Sequence, residues 1–297
     1  MSGLRTVVVA TDFSDTAGTA LNWAAAIARE HGARLVVAHA SAPVAPPAPE
    51  FVVLPASYFD ETRRAAQAQL DALVAALQTT GVPCSSELAL APAVTGVLEI
   101  AARHRADLLV AGTRGRTGWK RVLLGSTAAR LVRDAPCPVL TVHPDDARHP
   151  DPLRSVLVPT DFSQEAWHAV ESAQSLLLPA TSARHVLLHA HRLPADAPYS
   201  ASARDIEDAV RASIASAHGN LAALARRLTH PGLTVEVRVR EGHPAEVIVE
   251  EAKGLGVDLI AMGTHGRSGV ERLWIGSTAE RVLPAAPCPV LTVRARG

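Results

Sequence analysis

Short apolar runs alternate with stretches of helical spacing along this chain, and the whole series comes twice. Thr6 to Ala10 is an apolar run that breaks at Thr11-Asp12 and predicts a strand, and Ser14 can cap a helix whose apolar face is Leu21, Ala24, Ile27 and Ala28. Leu35 to Ala38 predicts a second strand. A loop with Pro43, Pro46, Pro47, Pro49 and Pro55 follows, then a helix carrying Leu70, Leu73, Val74 and Leu77. Val82 to Leu90 contains a weaker strand, Val94 to His104 a helix, Asp107 to Ala111 a strand, Ser126 to Arg133 a helix, and Pro138 to Val142 closes the unit. The second half repeats the order. Its clearest helical period is Ile206, Val210, Ile214, Ala217, Leu221, Leu224 and Leu228.

The halves are copies. Asp12 recurs as Asp161 (161 − 12 = 149), Gly112 as Gly263 (263 − 112 = 151) and Cys137 as Cys288 (288 − 137 = 151), so the net indel is two residues. A repeat this long is a duplicated domain and not a solenoid unit. A chain of 297 residues suits two domains of about 150 each, both able to bury a core. The polar, proline-rich stretch His143 to Pro152 has little to bury, so the domains are expected over 1–146 and 153–297.

One strand differs in kind. Val235, Val237 and Val239 alternate with Glu236, Arg238 and Arg240, as an edge strand with one solvated face should, whereas the other strands are continuous apolar runs covered on both faces. Alternating strands and helices predict an α/β fold of two tandem doubly wound domains. Each is expected to be a five-stranded parallel sheet in the order 3-2-1-4-5 with helices on both faces. The order reverses between strands 1 and 4, and a ligand is expected in the crevice at their carboxyl ends. Strand 1 delivers Asp12 (Asp161 in the second half) to that crevice.

Strand 4 delivers a glycine pattern to the same place. Gly112-Thr113-Arg114-Gly115, nine residues and Gly125-Ser126-Thr127 recurs as Gly263-Thr264-His265-Gly266, nine residues and Gly276-Ser277-Thr278. Glycine lets a main chain turn through positive φ and bring bare N–H groups to a ligand, and Gly-Ser-Thr opening a helix adds unpaired amides and a positive dipole end. That combination suits a phosphate. A tight loop and helix start with no ligand, and for the aspartates simple turn chemistry after a strand, are the plainer alternatives.

Composition narrows the partners. Lys+Arg and Asp+Glu balance at 29 each, so no net field favours nucleic acid or an anionic membrane, and any phosphate site must be local. The N-terminus reads as a first strand and not as a signal peptide, and no apolar run approaches a membrane span. Cys84, Cys137 and Cys288 are an odd number without C-x-x-C or zinc spacing, which points to the reduced cytoplasm.

These residues resemble the universal stress proteins in their tandem two-domain form. The resemblance covers nearly the whole chain. It rests on Val9-Ala10-Thr11-Asp12 and Val158-Pro159-Thr160-Asp161, on both glycine patterns, and on both Pro-Cys-Pro-Val-Leu-Thr-Val endings. In the family's nucleotide-binding branch that glycine pattern holds the ATP phosphates and ribose, and a branch without it does not bind ATP. The resemblance therefore implies two sites. Gly112, Gly115, Gly125, Ser126 and Thr127, with Gly263, Gly266, Gly276, Ser277 and Thr278, would hold phosphates through main-chain N–H groups and the serine hydroxyls. Asp12 and Asp161 would meet ribose or adenine, and Ala40 and Ala190 would offer main-chain groups to the adenine edge. The ligand implied is ATP, or ADP or AMP in its place, with Mg or Mn accompanying the phosphates. Arg114, Arg116, Lys120 and Arg121 answer to His265, Arg267, Glu271 and Arg272, so the first loop carries more positive charge. Glu241-Gly242-His243-Pro244-Ala245 fits the family's turn, but Leu90-Ala91-Pro92-Ala93-Val94 lacks its glycine.

Neither a P-loop nor a G-x-G-x-x-G fingerprint is present, and no carboxylate is obviously placed as a general base. Binding is favoured over catalysis, and the expected role is a nucleotide-dependent stress-response sensor or regulatory module with an unknown protein partner. A slow ATPase or phosphotransferase, and an interaction module with no nucleotide, remain as alternatives. His189 and His191, two apart on a strand, could begin a metal site with a third ligand from the following loop. The plainer alternative is a strand-end histidine, as His39 is, with an exposed neighbour. The apolar last strands, Val139 to Val142 and Val290 to Val293, lie at open edges, and family members dimerise there. The two domains are expected to pair through them about a pseudo-two-fold axis, with a further homodimer possible.

Overall fold

The structure, a computed structural model, describes residues 3–42, 56–115, 124–146, 152–177, 182–191, 203–228, 232–264 and 275–294. These fall into two compact units that divide between Asp146 and Pro152. The first holds β1 (Thr6–Ala10), α1 (Asp15–His31), β2 (Arg34–Ala40), α2 (Ala56–Gln78), β3 (Cys84–Ala89), α3 (Ala93–Arg103), β4 (Leu108–Gly112), α4 (Ser126–Asp134) and β5 (Val139–Val142). The second holds β6 (Ser155–Pro159), α5 (Gln164–Leu177), β7 (Ala183–His191), α6 (Ala203–Arg227), β8 (Leu233–Glu241), α7 (Pro244–Leu255), β9 (Leu259–Gly263), α8 (Ser277–Ala285) and β10 (Val290–Val293).

Each unit is the expected doubly wound sheet. In the first the strands run β3-β2-β1-β4-β5 and in the second β8-β7-β6-β9-β10, every pairing within a unit parallel. The valine and leucine runs form the central strands because helices cover both faces: Val7, Val8, Val9, Leu35, Leu109 and Val110 are fully buried. Alanines let α1 lie close on the sheet, with Ala20, Ala24 and Ala28 fully buried and Trp23 almost so. Ser14 caps α1, its hydroxyl accepting from Ala17 N at 3.3 Å.

One carboxylate in each unit sets the register of the central pair. Asp107 Oδ2 accepts from Arg5 N and Thr6 N, both at 2.9 Å, and so ties the start of β1 to the start of β4. Asp258 Oδ2 does the same for Arg154 N and Ser155 N, at 3.0 and 2.8 Å. These ties sit at the amino ends of the strands, away from the carboxyl ends.

The edge strand β8 departs from expectation on its polar face. That face is not simply solvated, because Arg238 and Arg240 both pair with Glu251 of α7, whose side chain is only 6% exposed. The first unit inverts the charges. Glu87 on β3 meets Arg103 and His104 at the end of α3. Both edges thus use an ion pair to pin strand to helix.

Candidate functional site

At the carboxyl end of the first strand of each unit, four consecutive residues build one turn. Thr11 Oγ1 accepts from Phe13 N at 3.1 Å and Asp12 Oδ1 accepts from Ser14 N at 3.1 Å. The second unit repeats this with Thr160 Oγ1 and Phe162 N at 3.0 Å, and Asp161 Oδ1 and Ser163 N at 3.0 Å. Side-chain oxygens satisfying main-chain N–H groups two residues on let the phenylalanines adopt φ values of 63° and 66°. Turn chemistry is therefore part of what both aspartates do. Each phenylalanine ring lies against a histidine near the carboxyl end of the next strand, Phe13 on His39 with centroids 4.5 Å apart and Phe162 on His189 at 4.7 Å.

Those histidines have defined tautomers. His39 Nδ1 lies 2.7 Å from Thr11 O and His189 Nδ1 lies 2.8 Å from Thr160 O. A carbonyl only accepts, so Nδ1 carries a proton in both rings. Among the described residues no group of three His, Cys, Asp or Glu could hold a metal ion. The loop from which a third ligand beside His189 and His191 was expected lies outside the described residues.

In the first copy of the pattern the glycines sit where a side chain would be crowded, and this replaces the expectation of positive φ. None of Gly112, Gly115 and Gly125 lies in the left-handed region, and the helix-capping Gly125 and Gly276 have φ of −60° and −58°. A Cβ on Gly112 would stand 2.8 Å from Thr16 Cγ2, one on Gly115 would stand 2.7 Å from Asp12 Oδ2, and one on Gly125 would stand 3.0 Å from Thr113 O. Asp12 is thus held against Gly115, which has no side chain to displace it.

A second correction concerns the amides. Gly125 N donates to Thr113 O at 2.9 Å and Gly276 N to Thr264 O at 2.7 Å, so neither is available to a phosphate. The carbonyls clamp the helix starts beneath the strand ends. Threonine itself is anchored from behind, Thr113 N donating to Val142 O at 2.8 Å and Thr264 N to Val293 O at 3.0 Å. Among the described residues no side chain caps α4 or α8, so the N–H groups at Ser126-Thr127 and Ser277-Thr278, with the positive end of each helix dipole, are left for an anion.

In the second unit these elements surround one cleft of about 380 Å³, within the range of small-molecule sites. Asp161, Ala190, Gly263, Gly276, Ser277 and Thr278 all line it. His265 and Gly266 lie outside the described residues. In the first unit the structure brings Asp12 to Gly115, and Arg114 beside Gly125, whose Ser126 and Thr127 open α4. Ala40 ends β2, where α3 packs so closely that a Cβ on Gly96 would stand 2.6 Å from Ala40 Cβ.

Among the lining residues, Leu188, Ile248 and Met262 escaped the sequence reading. With Pro159 and Pro244, which the motifs contain without a lining role, they are the larger apolar side chains of the second cleft, beside Ala166, Ala190 and Ala279, and Thr160 and Thr264 lie at its polar margin. The signal of the larger ones was position, since each lies at or just beyond the carboxyl end of a strand or on the first turns of α7.

Comparison with known proteins agrees with this architecture. The model of the universal stress protein family matches residues 3–143 and again 152–294. A universal stress protein of Mycolicibacterium smegmatis is 32% identical over 298 residues, covering 98% of this chain and 97% of that one. Universal stress protein Rv2005c of Mycobacterium tuberculosis is 32% identical over 297 residues, covering 97% and 96%. Among solved structures, a functionally unknown protein, PA1789, from Pseudomonas aeruginosa shares the fold with a TM-score of 0.70 at 19% identity, covering 99% of this chain and 93% of that one. A universal stress protein from Archaeoglobus fulgidus does so with a TM-score of 0.66 at 20% identity, covering 97% and 96%. With both halves matched in full, the chain belongs to the universal stress protein family and carries two of its domains in tandem.

Proposed function

We propose that this universal stress protein binds an adenine nucleotide in each domain and acts as a nucleotide-dependent regulatory module. The observation that carries the reading is the convergence in the second domain of Asp161, Ala190, Gly263, Gly276, Ser277 and Thr278 on one cleft. Strand order nominated the crevice that Asp161 enters and residue spacing nominated the glycine pattern, two independent routes to one place, while Ala190 came from the family resemblance. The fit to a nucleotide is chemical. An uncapped helix start suits a phosphate, a carboxylate suits ribose hydroxyls, and the apolar slot suits a flat base. Ser126, Thr127, Ser277 and Thr278 would hold phosphates, and Asp12 and Asp161 the sugar. Main-chain groups at Ala40 and Ala190 would meet the base edge. Mg or Mn would enter with the phosphates and supply charge neutralisation.

Calorimetric titration of the full chain with ATP, ADP and AMP tests this. The expected result is saturable binding approaching two nucleotides per chain, weakened in one domain by Gly115→Val, whose side chain would collide with Asp12. Absence of heat with all three nucleotides would refute it. Release of inorganic phosphate from ATP, measured on the same samples, separates a binding module from a slow ATPase.

A further inference from the structure

The two domains keep the same polar residues around the carboxyl ends of their strands but differ where a base would lie. The larger apolar side chains of the second cleft are Pro159, Leu188, Pro244, Ile248 and Met262, beside Ala166, Ala190 and Ala279, whose counterparts in the first domain are also alanines. Strand register and repeat offset identify the counterparts in the first domain. Pro159 pairs with Leu188 as Ala10 pairs with Ala38. Pro244, Ile248 and Met262 lie 151 residues beyond Ala93, Val97 and Ala111, the same offset that relates Gly263 to Gly112.

All five counterparts are smaller, while the aspartate, the strand-end alanine and histidine, and the Gly-Ser-Thr helix starts are unchanged. The position of the wall helix differs as well. A Cβ on Gly96 would stand 2.6 Å from Ala40 Cβ and 2.8 Å from Ala89 Cβ, so α3 rests directly on the strand end whose main chain would meet the base. The residue at the same offset in the second domain is Val247, and its side chain turns toward Gly242, where a Cβ would stand 2.8 Å from Val247 Cγ2. The first domain therefore has less apolar surface to offer a base and a wall drawn in upon it.

The anion end runs the other way. The first turn of α4 carries no acidic residue, whereas that of α8 carries Glu280. Arg114 in the first domain stands where the second has His265. A helix N-terminus without a nearby carboxylate binds anions better.

On the reading of function above, we propose that the domains divide the ligand between them: the second selects a purine base through its five-residue apolar slot, and the first grips a polyphosphate with little regard to the base. One methylene in such a slot is worth about 10- to 200-fold in discrimination, so the loss of side-chain bulk at all five positions is expected to change selectivity at least tenfold.

The experiment is calorimetric titration of the full chain with ATP, CTP and inorganic tripolyphosphate, together with photolabelling by 8-azido-ATP. Two classes of site are expected. One prefers ATP to CTP and to tripolyphosphate at least tenfold, and the other binds all three within about threefold. The photolabel should fall on peptides from the second domain, an assignment that needs no variant. Leu188→Ala with Met262→Ala should lower ATP affinity at the selective class at least tenfold and tripolyphosphate affinity by less than threefold. Equal ATP preference in both classes, or labelling concentrated in the first domain, would overturn this proposal while leaving nucleotide binding intact. No binding of any of the three would overturn both.

Discussion

His185 offers the sharpest test of how the second domain is held together. It lies on β7 in register with Val156 of β6, the place that Leu35 occupies beside Val7 in the first domain. It is fully buried, and neither ring nitrogen has a hydrogen-bond partner among the described residues. Burial lowers its pKa from 6.5 to about 4. The folded domain therefore keeps the ring neutral while the unfolded chain takes up a proton below pH 6.5, so stability falls as pH drops from 6.5 toward 4. The gap between the two values corresponds to about 3 kcal/mol once both forms are protonated, and about 2 kcal/mol of it is already lost at pH 5. An unsatisfied buried polar group costs a further ~1–3 kcal/mol at any pH. Replacing His185 by leucine, similar in volume and already accepted at the matching position, removes both terms. The His185→Leu variant should be more stable by ~1–3 kcal/mol at pH 7 and by about 2 kcal/mol more at pH 5. Amide hydrogen exchange of β6 and β7 peptides reads this domain alone, and comparing variant with wild type at each pH cancels the intrinsic rate. Under equilibrium opening, the extra protection at pH 5 relative to pH 7 should be about 20-fold. A stability difference that is the same at both pH values would refute the argument, because it would mean that His185 does not change protonation between folded and unfolded states.

Three further outcomes follow from the packing. Gly96→Val should destabilise the first domain by ~1–3 kcal/mol through overpacking, with Ala91→Gly giving no rescue because the obstacles are Ala40 and Ala89; thermal unfolding checks it. Glu251→Gln should cost less than the double change Arg238→Met and Arg240→Met. The first leaves arginines that are 38% and 50% exposed and can rehydrate, and the second strands a buried carboxylate at a cost of ~3–5 kcal/mol; urea unfolding distinguishes them. Asp107→Asn should loosen the start of β1 against β4 by weakening bonds to Arg5 N and Thr6 N, seen as faster amide exchange at those two positions.

Much of the fold was legible because it rests on local pattern. The run Thr6–Ala10 is the first strand to the residue, Ser14 is the cap, and the alternation around Val237 marks an edge. The duplication placed Asp161 and Gly263 by arithmetic once Asp12 and Gly112 were chosen. What the pattern hid depends on contacts distant in sequence. That Gly125 is excluded from carrying a side chain by Thr113 O, and that its amide is spent on the same oxygen, requires two chain segments to meet. That the polar face of β8 is charged because Glu251 approaches from α7 cannot be read from β8 alone. The sequence reading passed over His185, and only its register against Val156 shows that it stands where the other copy has leucine.

The bond from Thr113 O to Gly125 N, repeated from Thr264 O to Gly276 N, works as a staple across the segment it closes. Because the helix start is fastened to the strand end at that point, substitutions in the span between need not shift the anion-facing amides.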